Sequence, residues 1–524
     1  MSSTAASPAP TAAALAGLVS AAAALGVGEL VAGADSRLSS PVEAVAREVI
    51  DRAPRPVERF AIETFGTNDK LALVVGTVVL AAVLGAVLGV VARRRPRAAA
   101  LGLAAFAAVG ALAALSAPSA SAVAVVPSVV AGVAGIGGLW LLLGRARPPA
   151  PAAAAPRAAR GGIGSRRAFL GLTAGVAAAA ALAGAGGRAL RSRFSAAESR
   201  AGVVLPRAAR PLPAVPASAD VGVPGVAPFV TPNADFYRID TALVVPQVRA
   251  EDWSLRVTGM VDEPYEVSFA ELLDRDLVEA DVTLTCVSNP VGGDLVGNAR
   301  WLGVPVADLL AAARPRSRAD QLVGRSVDGY TCGFPLAAAY DRPSLVAVGM
   351  NDEPLPLRHG FPARLVTPGI YGYAGSTKWL TELEVTTFDA FDQYWVPRGY
   401  ARRAPIKTMA RIDTPRSLER VAAGPVVVAG VAWAQTRGID AVEVSIDGEP
   451  FRPAELGAAV SADTWRQWRH EWDATPGRHT IVVRATDGTG EVQTGDRSET
   501  LPDGVSGWMS LVVTVDPVQP PPEG

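Results

Sequence analysis

The sequence predicts a chain in three parts: an amino-terminal bundle of transmembrane helices, a mixed α+β domain and a carboxyl-terminal β-sandwich. Three observations predict it. Residues 1–33, 71–92, 98–143 and 168–187 carry almost no charge and are dominated by Ala, Val, Leu and Gly. From about 233 to 402, short helical patterns such as Phe269-Ala270-Glu271-Leu272-Leu273 mix with strand-like runs that do not repeat as β-α-β units, which argues for α+β. Beyond 403, short alternating runs are punctuated by Asp447-Gly448 and Asp487-Gly488, the spacing of a two-sheet sandwich. The divisions expected are 1–190 for the helices, 191–232 for a Pro/Ala-rich linker, 233–402, 403–517, and a tail at 518–524. The chain has 49 basic and 50 acidic residues, so no net field suggests nucleic acid as a partner.

Five apolar stretches reach the roughly 20 residues that a bilayer-spanning helix needs: about 11–33, 71–92, 98–117, 122–143 and 168–187. Arg93, Arg94, Arg95 and Arg97 follow the second stretch. Arg145, Arg147, Arg157, Arg160, Arg166 and Arg167 follow the fourth, while the loop from Ser116 to Ala122 has no basic residue. The bias of basic residues toward the cytoplasm puts both clusters inside, hence the amino terminus inside and everything beyond Gly187 outside. The catalytic part is therefore expected on the extracytoplasmic side of the cell membrane, in a multi-pass protein in contact with lipid. The loop 34–70 strains the scheme with Arg37, Arg47, Arg52, Arg55, Arg59 and Lys70, and its Val42, Val45, Val49 and Ile50 pattern predicts a surface helix. Ser165-Arg166-Arg167-Ala168-Phe169-Leu170 resembles a twin-arginine export signal, a fuller match than two arginines that simply flank a helix on the cytoplasmic side would give. His359, His470 and His479 are the only histidines. None falls in a span, so no haem is expected within this chain.

The middle part is organised around Leu284-Thr285-Cys286-Val287-Ser288-Asn289-Pro290 and the glycines that follow. Val282, Leu284 and Cys286 alternate as in a strand, and the thiol stands where that strand gives way to a Gly-rich loop. A thiolate is a soft ligand for a metal centre; a buried small side chain or half of a disulfide with Cys332 is the bland alternative. Two cysteines in so long a chain exclude a disulfide-stapled scaffold.

Around this cysteine the chain resembles the molybdenum-cofactor domain of the sulfite oxidase family, which also includes plant nitrate reductase and a bacterial periplasmic methionine sulfoxide reductase. The matching pieces are Phe236-Tyr237-Arg238, Thr285-Cys286-x-x-Asn289, Trp301-x-Gly303-Val304, Met350-Asn351-x-Glu353-Pro354-Leu355-Pro356 and His359-Gly360-Phe361-Pro362-x-Arg364. Val366-x-Pro368-Gly369, Lys378-Trp379-Leu380 and Trp395 with Tyr400 complete the series, in the family's order.

The resemblance implies a Mo-molybdopterin cofactor with Cys286 as the thiolate on the metal. It implies His359, Arg364 and Lys378 as contacts of the pyranopterin and its phosphate, with Ser376 and Thr377 adding donors. A phosphate wants fixed positive donors, and a guanidinium can meet it with two bonds. Tyr237 and Arg238 would line the pocket, the cation orienting an oxyanion, and Tyr400 would donate its phenol to an oxygen of substrate or metal. Cys286, Tyr400 and Arg238 are the expected catalytic group. In animal and plant members basic residues follow the Cys-x-x-Asn unit; here Pro290 and Val291 stand there. Sulfite-type oxidation and sulfoxide-type reduction of a small substrate both stay open.

In the last part, strands are expected at Val426–Val431, Ala441–Ile446, Trp468–Trp472, His479–Ala485 and Met509–Val515. They read as an immunoglobulin-like sandwich, and the family's own second domain is of that type and often pairs two copies. Trp433, Trp465, Trp468, Trp472 and Trp508 are expected in packing. Without a haem segment, electrons need a separate redox partner, a cytochrome or a quinol-linked membrane protein. The alternative from another class is a membrane-anchored β-sandwich adhesion or assembly protein carrying a vestigial catalytic fold.

Overall fold

The computed structural model describes residues 8–35, 37–65, 68–117, 120–146 and 161–517. The expected tail, Arg147, Arg157 and Arg160, and part of the loop between the third and fourth spans lie outside the described residues. The chain divides into two compact units, residues 1–195 with 242–245, and residues 196–241 with 246–524.

The first unit is helical: α1 (Pro10–Ala32), α2 (Pro41–Arg52), α3 (Arg55–Phe65), α4 (Asp69–Ala92), α5 (Pro96–Leu115), α6 (Val126–Ala146) and α7 (Gly161–Ser192). Five helices are long and apolar enough to cross a membrane. Helix α1 packs on α4, α6 and α7 through small residues. A Cβ on Gly17 would stand 2.0 Å from the Gly85 carbonyl oxygen, and one on Gly26 2.2 Å from that of Ala180. Only glycine permits such backbone approach, the usual contact between helices in lipid. The large side chains point the other way, with Leu71, Leu101, Leu112, Val133 and Leu182 more than half exposed. The surface helix expected in 34–70 is α2, capped by Ser40 accepting from the Glu43 amide, with α3 following it.

In the second unit, α8 (Ala197–Gly202) precedes the Pro/Ala-rich stretch. That stretch is extended, as its prolines dictate, and it is bonded along its length to the domains it was expected only to lead into. Gln467 Nε2 donates to the Ala227 carbonyl at 2.8 Å, and Asn298 Nδ2 and Trp465 Nε1 both donate to that of Phe229 at 2.9 Å.

Two sheets build the α+β part. One runs in the order β2 (Tyr265–Ser268), β1 (Ser254–Gly259), β10 (Leu380–Thr386), β5 (Gln321–Ser326), β6 (Thr331–Pro335). The other runs β3 (Val278–Thr285), β4 (Val296–Pro305), β7 (Leu345–Met350), β8 (Glu353–Pro354), with β9 (Arg364–Val366) also on β7. Helix α9 (Phe269–Leu273) matches the expected segment and carries a capping box between Ser268 and Glu271, and α10 (Val306–Ala313) follows β4. The stretch expected as a Gly-rich loop after Cys286 is shorter than its composition suggested. From Val296 it is strand β4, pairing Thr283 with Asn298 and Asp281 with Arg300. Its glycines make room rather than turns: a Cβ on Gly297 would come 2.9 Å from the Phe236 ring.

The last part is a two-sheet sandwich. One sheet is β11 (Met409–Thr414), β13 (Gly424–Trp433), β17 (Arg466–Ala474) and β16 (Glu455–Leu456). The other is β12 (Arg420–Ala422), β19 (Met509–Asp516), β18 (Gly477–Asp487), β14 (Ile439–Ile446) and β15 (Arg452–Pro453). Ile412, Val428 and Trp468 from the first meet Val442, Ile481 and Val513 from the second in one core. At the turn after β14, Asp447 and Gly448 both take positive φ (52° and 78°), the conformation an Asp-Gly pair favours.

Candidate active site

Strand β3 delivers Cys286 to a loop that is locked on itself. The Cys286 amide donates to the Leu295 carbonyl at 2.9 Å and the Asn289 amide to the Cys286 carbonyl at 3.1 Å. Asn289 Oδ1 accepts from the Leu295 amide at 2.8 Å, and Gly292 turns the chain at φ +76°. Both cysteines are free thiols. Cys286 is 8% exposed, and its sulfur lies 2.9 Å from the Ser288 hydroxyl. Burial pushes the thiol up, while Ser288 and the charge of Lys378 pull it back. Cys332, fully buried, is pushed up to about 11 by desolvation.

Beside the thiol lie the buried cation Arg364 and the partly buried cation Lys378. Arg364, the first residue of β9, is 3% exposed and lies over the Trp301 ring at 4.9 Å. It donates through Nη1 to the His359 carbonyl at 3.2 Å. Among the described residues no carboxylate pairs with it, and its Nε has no partner. Burial alone pulls it down to about 10. Lys378 reaches Asp240 Oδ2 at 3.1 Å, the same oxygen that Arg238 Nε meets at 2.9 Å. Burial, followed by the nearby Arg364, holds Lys378 at about 8 in spite of Asp240. His359 is fully buried and sits 3.2 Å from the Asn233 carbonyl through Nε2, which makes Nε2 the protonated nitrogen. Burial and then the charges of Lys378, Arg364 and Arg358 lower His359 to about 3. The ring is thus neutral, and Nδ1 presents a lone pair with no partner.

The other expected residues divide. Tyr237 stacks on Phe236 with centroids 5.3 Å apart. Its phenol is pushed up by burial and the neighbouring Cys286, with Arg364 opposing. Ser376 is buried with a hydroxyl lacking a partner. Thr377 turns away and spends its hydroxyl on the Gly324 carbonyl at 3.3 Å. Tyr400 packs on Tyr373 at 5.2 Å and Trp395 at 5.3 Å, and the Tyr373 carbonyl in turn accepts from the Tyr330 phenol at 2.6 Å. Tyr330 and Tyr371, both held protonated mainly by burial, also feel the Cys286 charge.

Sequence reasoning assigned no role to Asp240, Asn289 or these two tyrosines. Asp240 had a signal: two residues beyond Arg238 in extended backbone, it falls on the same side.

Three buried polar atoms without partners (His359 Nδ1, Arg364 Nε and Ser376 Oγ) belong to residues that the family resemblance assigns to one cofactor. Buried polar groups are nearly always satisfied, so these fit an anionic ligand that also offers hydrogen-bond donors. Among the described residues no group of three or more His, Cys, Asp or Glu is placed to hold a metal ion, so a metal here must bring ligands of its own. The features define a binder of a large anionic cofactor set against a single protein thiol.

Comparison with known proteins agrees. Residues 242–395 match the model described as the oxidoreductase molybdopterin binding domain. Sulfite oxidase of Gallus gallus is 30% identical over 315 residues, covering 51% of this chain and 68% of that protein. The Bacillus subtilis protein titled "Uncharacterized oxidoreductase YuiH" is 32% identical over 151 residues, covering 29% and 73%. Mitochondrial sulfite oxidase of Rattus norvegicus is 29% identical over 315 residues, covering 51% and 57%, so the chain spans little more than half the length of that relative. The chain belongs to the sulfite oxidase family of molybdopterin-binding oxidoreductases.

Proposed function

We propose that this chain is a membrane-anchored molybdenum-cofactor enzyme that moves an oxygen atom, with two electrons, between a small substrate and the metal outside the cytoplasmic membrane. The observation that carries the reading is the buried guanidinium of Arg364, charged, unpaired with any carboxylate among the described residues and beside a second, partly buried cation. An adhesion protein has no use for that arrangement, because an uncompensated charge in the interior opposes folding. A pyranopterin phosphate would take the charge of Arg364 and Lys378, and the pterin's own N–H groups would meet His359 Nδ1. Ser376 would donate to one of its acceptors.

When bound, the cofactor supplies the metal that exchanges the oxygen atom and the electron pair. The chain's own residues do the rest. Cys286 would hold the metal as a thiolate, so that its proton would be released on binding. Tyr237, kept protonated by burial, offers a phenol donor toward the thiol side, and Tyr400 offers another from the aromatic wall. Arg238 orients an anionic substrate with a charge already shared with Asp240.

The inverted pattern of the first unit, small residues inside and leucines outside, supports an anchor in lipid, and the placement of Arg93 to Arg97 supports the extracytoplasmic side. Electrons would pass to a separate cytochrome or quinol-linked protein. The sandwich would be immunoglobulin-like and a candidate surface for pairing two copies.

The test is turnover of sulfite with an artificial electron acceptor, and of a small sulfoxide with an artificial donor, by purified molybdenum-loaded chain. Turnover of either supports the proposal, and a loss in Arg238→Ala for the anionic substrate supports that residue's role. Molybdenum-loaded protein that turns over neither contradicts it.

A further inference from the structure

Strand β3, which ends at Thr285 just before Cys286, is the edge of its sheet. An edge strand turns a row of N–H and C=O groups outward, and when buried they must find partners. Here the partners come from the sandwich. The Thr283 amide donates to the Asp463 carbonyl at 2.9 Å, and the Trp465 amide donates to the Thr283 hydroxyl at 2.7 Å. Gln435, fully buried, places Nε2 2.8 Å from the Thr283 carbonyl and 3.2 Å from the Thr285 hydroxyl. Thr285 is the residue before the cysteine.

The far side of the loop is held from the same domain. Arg411, 8% exposed on β11, donates through Nη1 to the Gly293 carbonyl at 3.0 Å and pairs through Nε with Asp413 at 2.6 Å. Met509 of β19 closes over Gly292, its sulfur 2.8 Å from where a Cβ would stand.

We infer that Gln435 and Arg411 are positioning residues for the Cys286 thiol, gripping the chain on either side of it, so that the sandwich completes the mount of the reactive sulfur. The inference rests on the reading of Cys286 as the functional thiol. Neither residue touches the cofactor cluster; each acts through backbone atoms of the segment that carries the cysteine. Losing the grip leaves a buried carbonyl without its donor and frees the loop to open.

The test uses the full chain made without molybdenum supply, alkylated with iodoacetamide, with the modified cysteine located by peptide mass. Gln435→Met and Arg411→Met should each speed Cys286 alkylation about tenfold, the factor that corresponds to one buried hydrogen bond. Arg411→Lys, which keeps a donor, should return the rate to near wild type, and Cys332 should stay inert throughout. Gln493→Met is the control: it loses bonds of the same kind inside the sandwich and should leave Cys286 unchanged. Rates near wild type in both Met variants, or an equal rise in the Gln493 control, would overturn the inference. The readout is independent of metal, so a wild-type chain that fails to take up molybdenum would sink the functional proposal and leave this inference to be judged on its own rates.

Discussion

Replacing Arg364 with Met separates a binding cation from a structural one. Burial pulls the guanidinium well below its ordinary value, to about 10. At 1.36 kcal/mol per pH unit that is roughly 3 kcal/mol set against folding at neutral pH. Stacking on Trp301 returns about 2 kcal/mol for a desolvated cation over an aromatic face. The net cost of keeping the charge in cofactor-free protein is then about 1 kcal/mol, and Met, of similar length and apolar, removes it. Cofactor-free Arg364→Met should unfold at or a few degrees above the wild-type temperature, at about 2–4 °C per kcal/mol for a domain of this size. The same variant should lose its molybdenum on dialysis. Differential scanning calorimetry on cofactor-free protein and elemental analysis on loaded protein make the two measurements. A variant destabilised by the about 3–5 kcal/mol typical of a broken buried ion pair would show that Arg364 is satisfied within the fold, and the reasoning would fail.

Two further outcomes follow. His359 has a folded value of about 3 against 6.5 in the unfolded chain, so the unfolded state binds the extra proton. Stability is fully present above pH 6.5 and should fall toward pH 3 by up to about 1.4 kcal/mol per pH unit; thermal unfolding against pH should show this acid slope, and His359→Gln should flatten it. Asn289→Leu removes the acceptor for the Leu295 amide and should destabilise by about 1–3 kcal/mol, read by urea unfolding; a value near zero would mean the loop closes without it.

Four of the five apolar helices were legible to within about four residues, because uniform apolarity over 20 or more positions has few readings; the fifth, expected at 168–187, runs Gly161–Ser192. The five longest-alternating strands of the sandwich (β13, β14, β17, β18 and β19) were legible because alternation and Asp-Gly turns mark them, whereas β11, β12, β15 and β16 were not expected. Strand β4 was not legible: Gly297 looked like loop, yet it is small because the Phe236 ring passes close by, a fact only the packed structure supplies. The same limit hid Asp240 as a shared counter-ion and Thr377 as a hydroxyl turned toward Gly324. Motif order brought Arg364, His359, Lys378 and Cys286 to notice, but not the orphaned Nδ1 and Nε atoms, which depend on what surrounds them. Tyr400 sits in an aromatic wall with Tyr373 of α11 (Gly372–Gly375) and Trp395, ring contacts that motif order does not show.

The most direct measurement is molybdenum X-ray absorption on the purified full chain and on Cys286→Ser. About one molybdenum per wild-type chain, with one sulfur scatterer lost from its shell in the serine variant, is the predicted result. An unchanged sulfur shell in Cys286→Ser, or no molybdenum in wild-type protein produced with cofactor supply, would contradict the account.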